Sequence, residues 1–372
     1  MSNTPLAVVH VLGSFEVGGG EQVALNLAAG QVERGHHVHV VSLAAGPDGP
    51  HARHFAAAHV TTHSVPKLGP TIDPSLVLRL ARLFRSLNAD VVHTHNPQPL
   101  IYGGPAARLS GTRLVHTKHG FNAAPARQVW LRKWPGWLAQ AFVAVSTQTA
   151  DDAREGRECR PGALSVIENG IHLEKYGPNP ALRAEVRREL GIPESALVVG
   201  TVGRLSAVKN QPLLVRAVAP LLNAQVRLVL VGDGPDRPDV EAAVAHSGKS
   251  EWIHLLGQRL DVPRLLPSFD IFALSSDSEG LPMVLPEAMA CELPIVTTAV
   301  GGIPDVVTDG RTGFLVPKGD EQKLRERVAR LAETPTLKRE LGVRAREFAL
   351  RRYSADSMIE RYLELYSALG QS

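Results

Sequence analysis

At 372 residues the chain exceeds the size at which a single hydrophobic core usually stops growing, about 250–300 residues, so two domains are expected. Hydrophobic residues at 44% and charged residues at 21% describe an ordinary globular protein with no disordered tract. A formal net charge of +3 without a clustered basic stripe argues against a nucleic-acid partner, and two distant cysteines, Cys159 and Cys291, exclude a disulfide framework or a Cys-rich zinc site and suit a reducing cytoplasm.

The first apolar run, LAVVHVL (6–12), is interrupted by His10 and has no basic leader, so it reads as a β-strand and not as a signal peptide. Further strands are predicted at HVHVVSL (37–43), DVVHTH (90–95), RLVHTKH (113–119), FVAVS (142–146) and LSVIEN (164–169). Helical patterns lie between them, including 21–35 and 74–88. The second half repeats the plan with ALVVGTV (196–202), VRLVLVG (226–232), WIHLLG (252–257), DIFALS (270–275) and LPIVTT (293–298). Strands alternating with helices predict parallel sheets, five or six strands in each half. The Gly-, Pro- and Asn-rich stretch 169–180 reads as a hinge linker. The expected architecture is therefore α/β, with two doubly wound Rossmann-like domains facing across a cleft. The expected boundaries are 1–175, 176–352 and a C-terminal helix in 353–372 whose apolar face, Met358, Ile359, Tyr362, Leu363, Leu365 and Tyr366, needs a cover. No uninterrupted apolar stretch of about 18 residues occurs, so no spanning helix is expected.

In such sheets ligands bind outside the carboxyl ends of the strands, so the loops there are the places to look for chemistry. The first is GSFEVGGGEQ, where Gly18, Gly19 and Gly20 lead into a helix; it is neither GxGxxG nor a Walker A loop, and a plain tight turn accounts for it equally well. HTHN (93–96) and HTKHG (116–120) place His95 and His119 at or just past strand ends, with His119 the better candidate for touching substrate. His93 and His116 alternate into the strands and are expected to be packed. No further His or Asp stands at a matching position, so no metal site is expected.

In the second half, the loop after Gly203 carries Arg204 and Lys209 just before an apolar helix, a cation pair suited to a diphosphate, although two solvated charges are the plain alternative. VGDGP (231–235) supplies Gly232 in another turn that lets a nucleotide lie close to the backbone. SEGLPMVLPEAMA (278–290) sets Glu279 and Glu287 on either side of a break. Pro286 belongs in the first turn of a helix, which puts free amides near Met283 and Val284. Carboxylates repel a phosphate, so the pair is expected to accept from hydroxyls on both sides of it, as a nucleotide sugar would offer. There is no DxD triplet to hold a metal on the diphosphate, and GGIPD (301–305) reads as a turn before a helix.

Together these segments resemble the retaining GT-B fold glycosyltransferases of glycosyltransferase family 4. The resemblance rests on GGGEQVALNLAAGQVERGHHVHVV, NGI at the linker, GRLSAVKNQ, EGLPMVLPE as the family's E-x7-E motif, and DGRTGFLV (309–316). It implies transfer of a hexose-type sugar from a UDP- or GDP-linked donor to a glycan or lipid-linked acceptor, without cofactor or metal. It implies that Arg204 and Lys209 hold the diphosphate, that Glu287 accepts from the ribose and Glu279 from the hexose, and that Gly280, Leu281, Pro282, Met283 and Val284 surround sugar and phosphates. It further implies that Gly19 and Gly20 meet the donor from the first domain, that His119 lies near the reacting carbon, and that the terminal helix packs on the first domain. Arg259 and Leu281 are expected to shape base and hexose selection. Three residues depart from the pattern: His172 after NGI, Glu292 where a glycine is usual, and Asp305 after GGIP.

Two other functions fit parts of the pattern: a nucleotide-sugar epimerase of the same fold, and a non-catalytic nucleotide-sugar-binding protein. A nicotinamide dehydrogenase would need the missing GxGxxG. The basic, Trp-rich stretch 127–142 has two readings, a membrane-surface helix or a helix packed on the first sheet. The expected location is the cytoplasm, with peripheral contact to the inner membrane face under the first of these readings.

Overall fold

The structure, a computed structural model, describes residues 4–16, 18–46, 49–69, 72–120 and 126–370; side chains at 50, 126–130 and 132 are outside the description. The chain divides into two compact units, one formed by Met1–Gly170 with Ala355–Ser372 and the other by Ile171–Ser354.

The first unit is built on seven strands: β1 Ala7–Leu12, β2 His37–Ser42, β3 Thr61–Ser64, β4 Val91–His95, β5 Arg113–Lys118, β6 Ala141–Ala144 and β7 Leu164–Val166. They pair in parallel in the order β3-β2-β1-β4-β5-β6-β7. The second unit holds β8 Leu197–Val202, β9 Val226–Val231, β10 Ile253–Leu255, β11 Ile271–Leu274, β12 Ile295–Thr298 and β13 Gly313–Val316, parallel in the order β10-β9-β8-β11-β12-β13. Each sheet reverses its winding direction once, between β1 and β4 and between β8 and β11. Ligand crevices open at such reversals.

Helices cover both faces of each sheet, so the inner strands are runs of Val, Ile and Leu and not alternating patterns. Val8, Val9 and Val11 of β1 and Val198 and Val199 of β8 are all but inaccessible. The edge strands β7 and β10 fall within the predicted 164–169 and 252–257, but the edges β3 and β13 escaped the sequence reading because they lack this signal. β3 is the polar TTHS, half-exposed along its length, and β13 is four residues that open on a glycine.

The helices follow amphipathic logic. The Pro74–Ser86 helix buries Leu76, Leu80, Ala81 and Phe84, and Asp73 caps its start by accepting from the Leu76 amide at 3.3 Å. The last helix, Ala355–Ala368, belongs to the first unit and lies against the Gly19–Glu33 helix. Met358, Ile359, Tyr362 and Tyr366 are its buried face, while Leu363 and Leu365 are only half-buried. Gly30 makes the contact possible: a Cβ there would sit 2.2 Å from Ile359 Cδ1. No helix among the described residues is long and apolar enough to cross a membrane.

The second unit is tied together by a buried charge network. Asp270, immediately before β11, accepts from Arg183 Nη2 at 2.9 Å, Arg187 Nη2 at 2.7 Å and the Val198 amide at 2.7 Å. Arg187 is 1% exposed and also donates to the carbonyls of Ser268, Glu194 and Ala196. The Pro180–Glu189 helix is thereby fastened to β8 and β11, the two strands that flank the sheet's reversal.

Of the Trp-rich stretch, Trp130 lies outside the described side chains. Trp134 and Trp137, on the Ala126–Leu138 helix, are 57% and 47% exposed.

Candidate active site

In the second unit the loops after β8 and β11 lock together at the reversal. Lys209 Nζ donates to both oxygens of Glu279, at 2.6 and 2.8 Å. Ser276 Oγ donates to Glu279 Oε1 at 2.6 Å, so a 7% exposed carboxylate is held by one cation and one hydroxyl. The two loops are also joined through their backbones, with the Asp277 amide on the Val208 carbonyl at 2.8 Å and Ser275 Oγ on the Asn210 carbonyl at 2.7 Å. Arg204 stands exposed on the same loop, and no side chain among the described residues pairs with its guanidinium. A free cation therefore lies five positions from a cation already neutralised by Glu279.

The glycines around this point make room for backbone. A Cβ on Gly232 would lie 1.9 Å from the Gly203 carbonyl oxygen, and one on Gly234 would lie 2.2 Å from that of Leu205. The VGDGP turn therefore buttresses the Gly203–Leu205 backbone. GGIPD is a turn before the short Ile303–Val306 helix, and it has a second task. Gly301, at a φ of +55°, places its α-carbon where a Cβ would stand 1.7 Å from the Glu279 carbonyl oxygen, and the Gly302 amide donates to the Gly280 carbonyl at 2.9 Å. Only glycine fits there.

The helix after this loop runs from Val284 to Ala290 with Met283 at its cap, in the place expected from Pro286. Leu281, Pro282 and Met283 are buried behind it. Glu287 takes a hydrogen bond from the Tyr176 hydroxyl, and burial pushes its carboxyl up to about 7, the tyrosine contact acting against that rise. Because the folded pKa lies above the unfolded one, the native state holds an extra proton between about pH 4.5 and 7. Stability is then fully present below that window and falls as the pH rises through it. Glu287→Gln is expected to abolish this slope and to be more stable than the parent by on the order of 2 kcal/mol above pH 7, with no difference near pH 4. Urea midpoints at the two pH values measure it.

Arg259 is drawn elsewhere. Its guanidinium is engaged by Asp261 at 2.8 and 2.7 Å and by Glu189 at 3.5 Å, within an ion-pair group that includes Arg264 and Glu185. Glu292 adopts a φ of +61°, a left-handed conformation that costs roughly 1–2 kcal/mol for a residue with a Cβ. The departure from glycine at this turn thus carries a backbone penalty. An open hollow of 690 Å³ lined by Pro212, Arg216, Ala242, His246 and Glu321 contains none of the expected site residues.

In the first unit, Gly20, Asn96 and His119 meet at the carboxyl edge of β1, β4 and β5. A Cβ on Gly20 would lie 3.0 Å from Asn96 Nδ2 and 3.3 Å from His119 Cδ2, whereas Gly19 beside it has open space. Burial lowers the His119 imidazole to about 4, so it is neutral at physiological pH. His93 and His116 are packed as expected, 0% and 2% exposed. His95 is not at an open strand end: it is 2% exposed and bonded on both nitrogens, to His10 at 3.0 Å and His119 at 2.9 Å. The sequence reading found no further histidine to complete a site with His95 and His119, and the structure brings His10 and the packed His93 to His95. β1 and β4 are adjacent in register, so ligand nitrogens of the three rings fall within 4.8 Å of one another. Every one of these nitrogens is already hydrogen-bonded to a neighbouring side chain.

Sequence reasoning missed Ser276, Gly301, Tyr176, Asn96 and His10. Asn96 carries a hint, since it follows HTH directly, but Tyr176 and Gly301 reach their partners only through tertiary folding.

Two parallel doubly wound sheets of seven and six strands, each with polar residues on the loops at its reversal, are the architecture of the GT-B fold. Residues 17–175 match the family described as Glycosyltransferase Family 4, and residues 196–334 match Glycosyl transferases group 1. The chain is 30% identical to the GDP-mannose-dependent alpha-(1-6)-phosphatidylinositol monomannoside mannosyltransferase of Mycolicibacterium smegmatis, over 83% of each protein. It is 32% identical to the alpha-maltose-1-phosphate synthase of the same organism, over 75% of this chain and 79% of that one. In fold it is similar to Anabaena Alr3699/HepE in complex with UDP and glucose, with a TM-score of 0.89 at 22% identity over 98% of this chain and 100% of that one. The chain belongs to glycosyltransferase family 4 and is a glycosyltransferase.

Proposed function

We propose that the protein transfers a hexose from a UDP- or GDP-linked donor to a glycan or lipid-linked acceptor, with retention of anomeric configuration and without a metal. The observation that carries this reading is the Lys209–Glu279 clamp at the reversal of the second sheet, with Arg204 free beside it. A diphosphate bound there displaces half of Lys209's attention from Glu279. It is neutralised by Lys209 and Arg204, and Arg204 offers a planar fork to its oxygens. Glu279, released on one side, accepts from hexose hydroxyls. Ribose hydroxyls donate to Glu287, which its raised pKa tunes to bind best once ionised. Met283 and Val284 amides at the helix start face the phosphates. To the first unit we assign the acceptor side of the reaction, with Gly19, Gly20 and His119 as its contacts.

Charge on the departing diphosphate is the largest electrostatic demand of such a reaction, and fixed cations meet it with little reorganisation. With the leaving group held in this way, its phosphate oxygen can take the proton of the attacking hydroxyl on the same face, which gives retention without a carboxylate nucleophile. The absence of a DxD triplet supports neutralisation by side chains. Nucleotide choice between uridine and guanosine is supported on both sides, since HepE is described with UDP and the mycobacterial mannosyltransferase is GDP-mannose-dependent. The exposed Trp134 and Trp137 support an acceptor presented at a membrane surface.

Calorimetric titration of UDP, GDP and ADP, with and without EDTA, tests the reading. One nucleoside diphosphate is expected to bind at least tenfold more tightly than the others and to be indifferent to EDTA. Equal, weak binding of all three, or binding abolished by EDTA, would overturn it.

A further inference from the structure

Three buried side chains and the half-buried His119 form one continuous chain in the first unit. Gln31 Oε1 lies 2.9 Å from His10 Nε2, His10 Nδ1 lies 3.0 Å from His95 Nε2, and His95 Nδ1 lies 2.9 Å from His119 Nε2. His119 Nδ1, the last atom, is buried without a hydrogen-bond partner. The path begins on the Gly19–Glu33 helix, crosses β1 and the end of β4, and finishes just beyond β5. Gln31 and His10 have no accessible surface.

A neutral imidazole has one N–H and one lone pair, so the direction of the first bond dictates all the others. The Gln31 carbonyl oxygen can only accept; His10 must then carry its proton on Nε2, which leaves Nδ1 as a lone pair. His95 must donate to it from Nε2, and His119 must donate to His95 from Nε2 in turn. All three rings stay neutral because burial holds His10 and His119 at about 4 and His95 well below its usual value. At the other end of the amide, Gln31 Nε2 is buried without a hydrogen-bond partner among the described residues; the carbonyl oxygen is the atom turned towards His10, and that placement sets the direction of the chain.

We infer that Gln31 is a positioning residue that sets the tautomer of His119 through His10 and His95, so that His119 offers a bare Nδ1 lone pair and receives a hydrogen bond from a hydroxyl. Its use in transfer rests on the proposed function above. A neutral acceptor at this place orients a sugar hydroxyl and gives up no proton, and it selects against a ligand with only an acceptor there.

Nuclear magnetic resonance on protein labelled with ¹⁵N-histidine and ¹⁵N-glutamine, without substrate, tests the chain directly. The expected result is an Nε2–H on His10, His95 and His119, with couplings across the two N–H···N bonds. An Nδ1–H on His119 or His95 would overturn the inference. In Gln31→Leu, His119 is expected to show both tautomers and kcat to fall about tenfold, while the affinity for the preferred nucleoside diphosphate stays within twofold. A folded Gln31→Leu protein whose His119 keeps a single Nε2–H would remove Gln31 from the role. If that variant does not fold, the parent spectrum still decides the proton pattern. Because these spectra need no nucleotide, failure of the transferase reading would show in the calorimetry and leave the tautomers unchanged.

Discussion

Lys209→Ala is expected to reduce turnover by at least a hundredfold, the scale on which removal of one fixed charge-stabilising donor acts. The same change strips the buried Glu279 of its only cation among the described residues, with the Ser276 hydroxyl remaining. Breaking one side of a buried pair costs about 3 kcal/mol or more, so a loss of activity in this variant alone could come from a displaced loop. The double variant Lys209→Ala/Glu279→Gln separates the two effects. Its glutamine needs no counter-charge, so its urea midpoint should return most of the way to that of the parent. Its affinity for the preferred nucleoside diphosphate, which lacks the hexose assigned to Glu279, should stay at least tenfold down. Recovery of that affinity together with stability would show that Lys209 serves the loop and not the diphosphate.

Asp270→Ala should have the largest effect on stability. The carboxylate satisfies two guanidinium groups and the Val198 amide near the start of β8, and Arg187 has nowhere to reach solvent. Leaving that charge unpaired costs about 3–5 kcal/mol, a large part of the 5–15 kcal/mol by which a domain is usually stable. A lowered urea midpoint with an unchanged slope on a probe in the second unit, such as Trp252, is the expected reading. A midpoint within experimental error of the parent would show that water replaces the carboxylate.

The inner strands of both sheets were legible in the sequence because parallel sheets bury both faces and so write themselves as unbroken Val and Leu runs. The edge strand β3 was not, since TTHS has no reason to be apolar with one side half-open. Among the residues proposed for the site, the positions of Arg204, Lys209 and Glu279 on loops at a winding reversal were legible, because ligands bind outside such strand ends. Their pairing was not. Whether Lys209 meets solvent, phosphate or Glu279 depends on two loops that are 70 positions apart in the chain. Arg259 likewise has a partner that its loop position did not reveal, Asp261 two residues away. The histidines divide in the same manner. The alternation in HTH correctly predicts that His93 is packed, but β1 sits beside β4 through a crossover that no local pattern encodes, and this hid His10.

The placement of the Ala355–Ala368 helix in the first unit has a consequence for synthesis. Tyr362 and Tyr366 from that helix bond Thr117 and His93, side chains laid down near the beginning. On the ribosome, the first sheet therefore waits with this polar face uncovered while all of Ile171–Ser354 is made. The second unit, contiguous in the chain, can close before the first is finished, reversing the usual order in which N-terminal domains mature during translation. A nascent chain stalled at residue 170 would be missing its own lid, and the same is true of any expression fragment cut there.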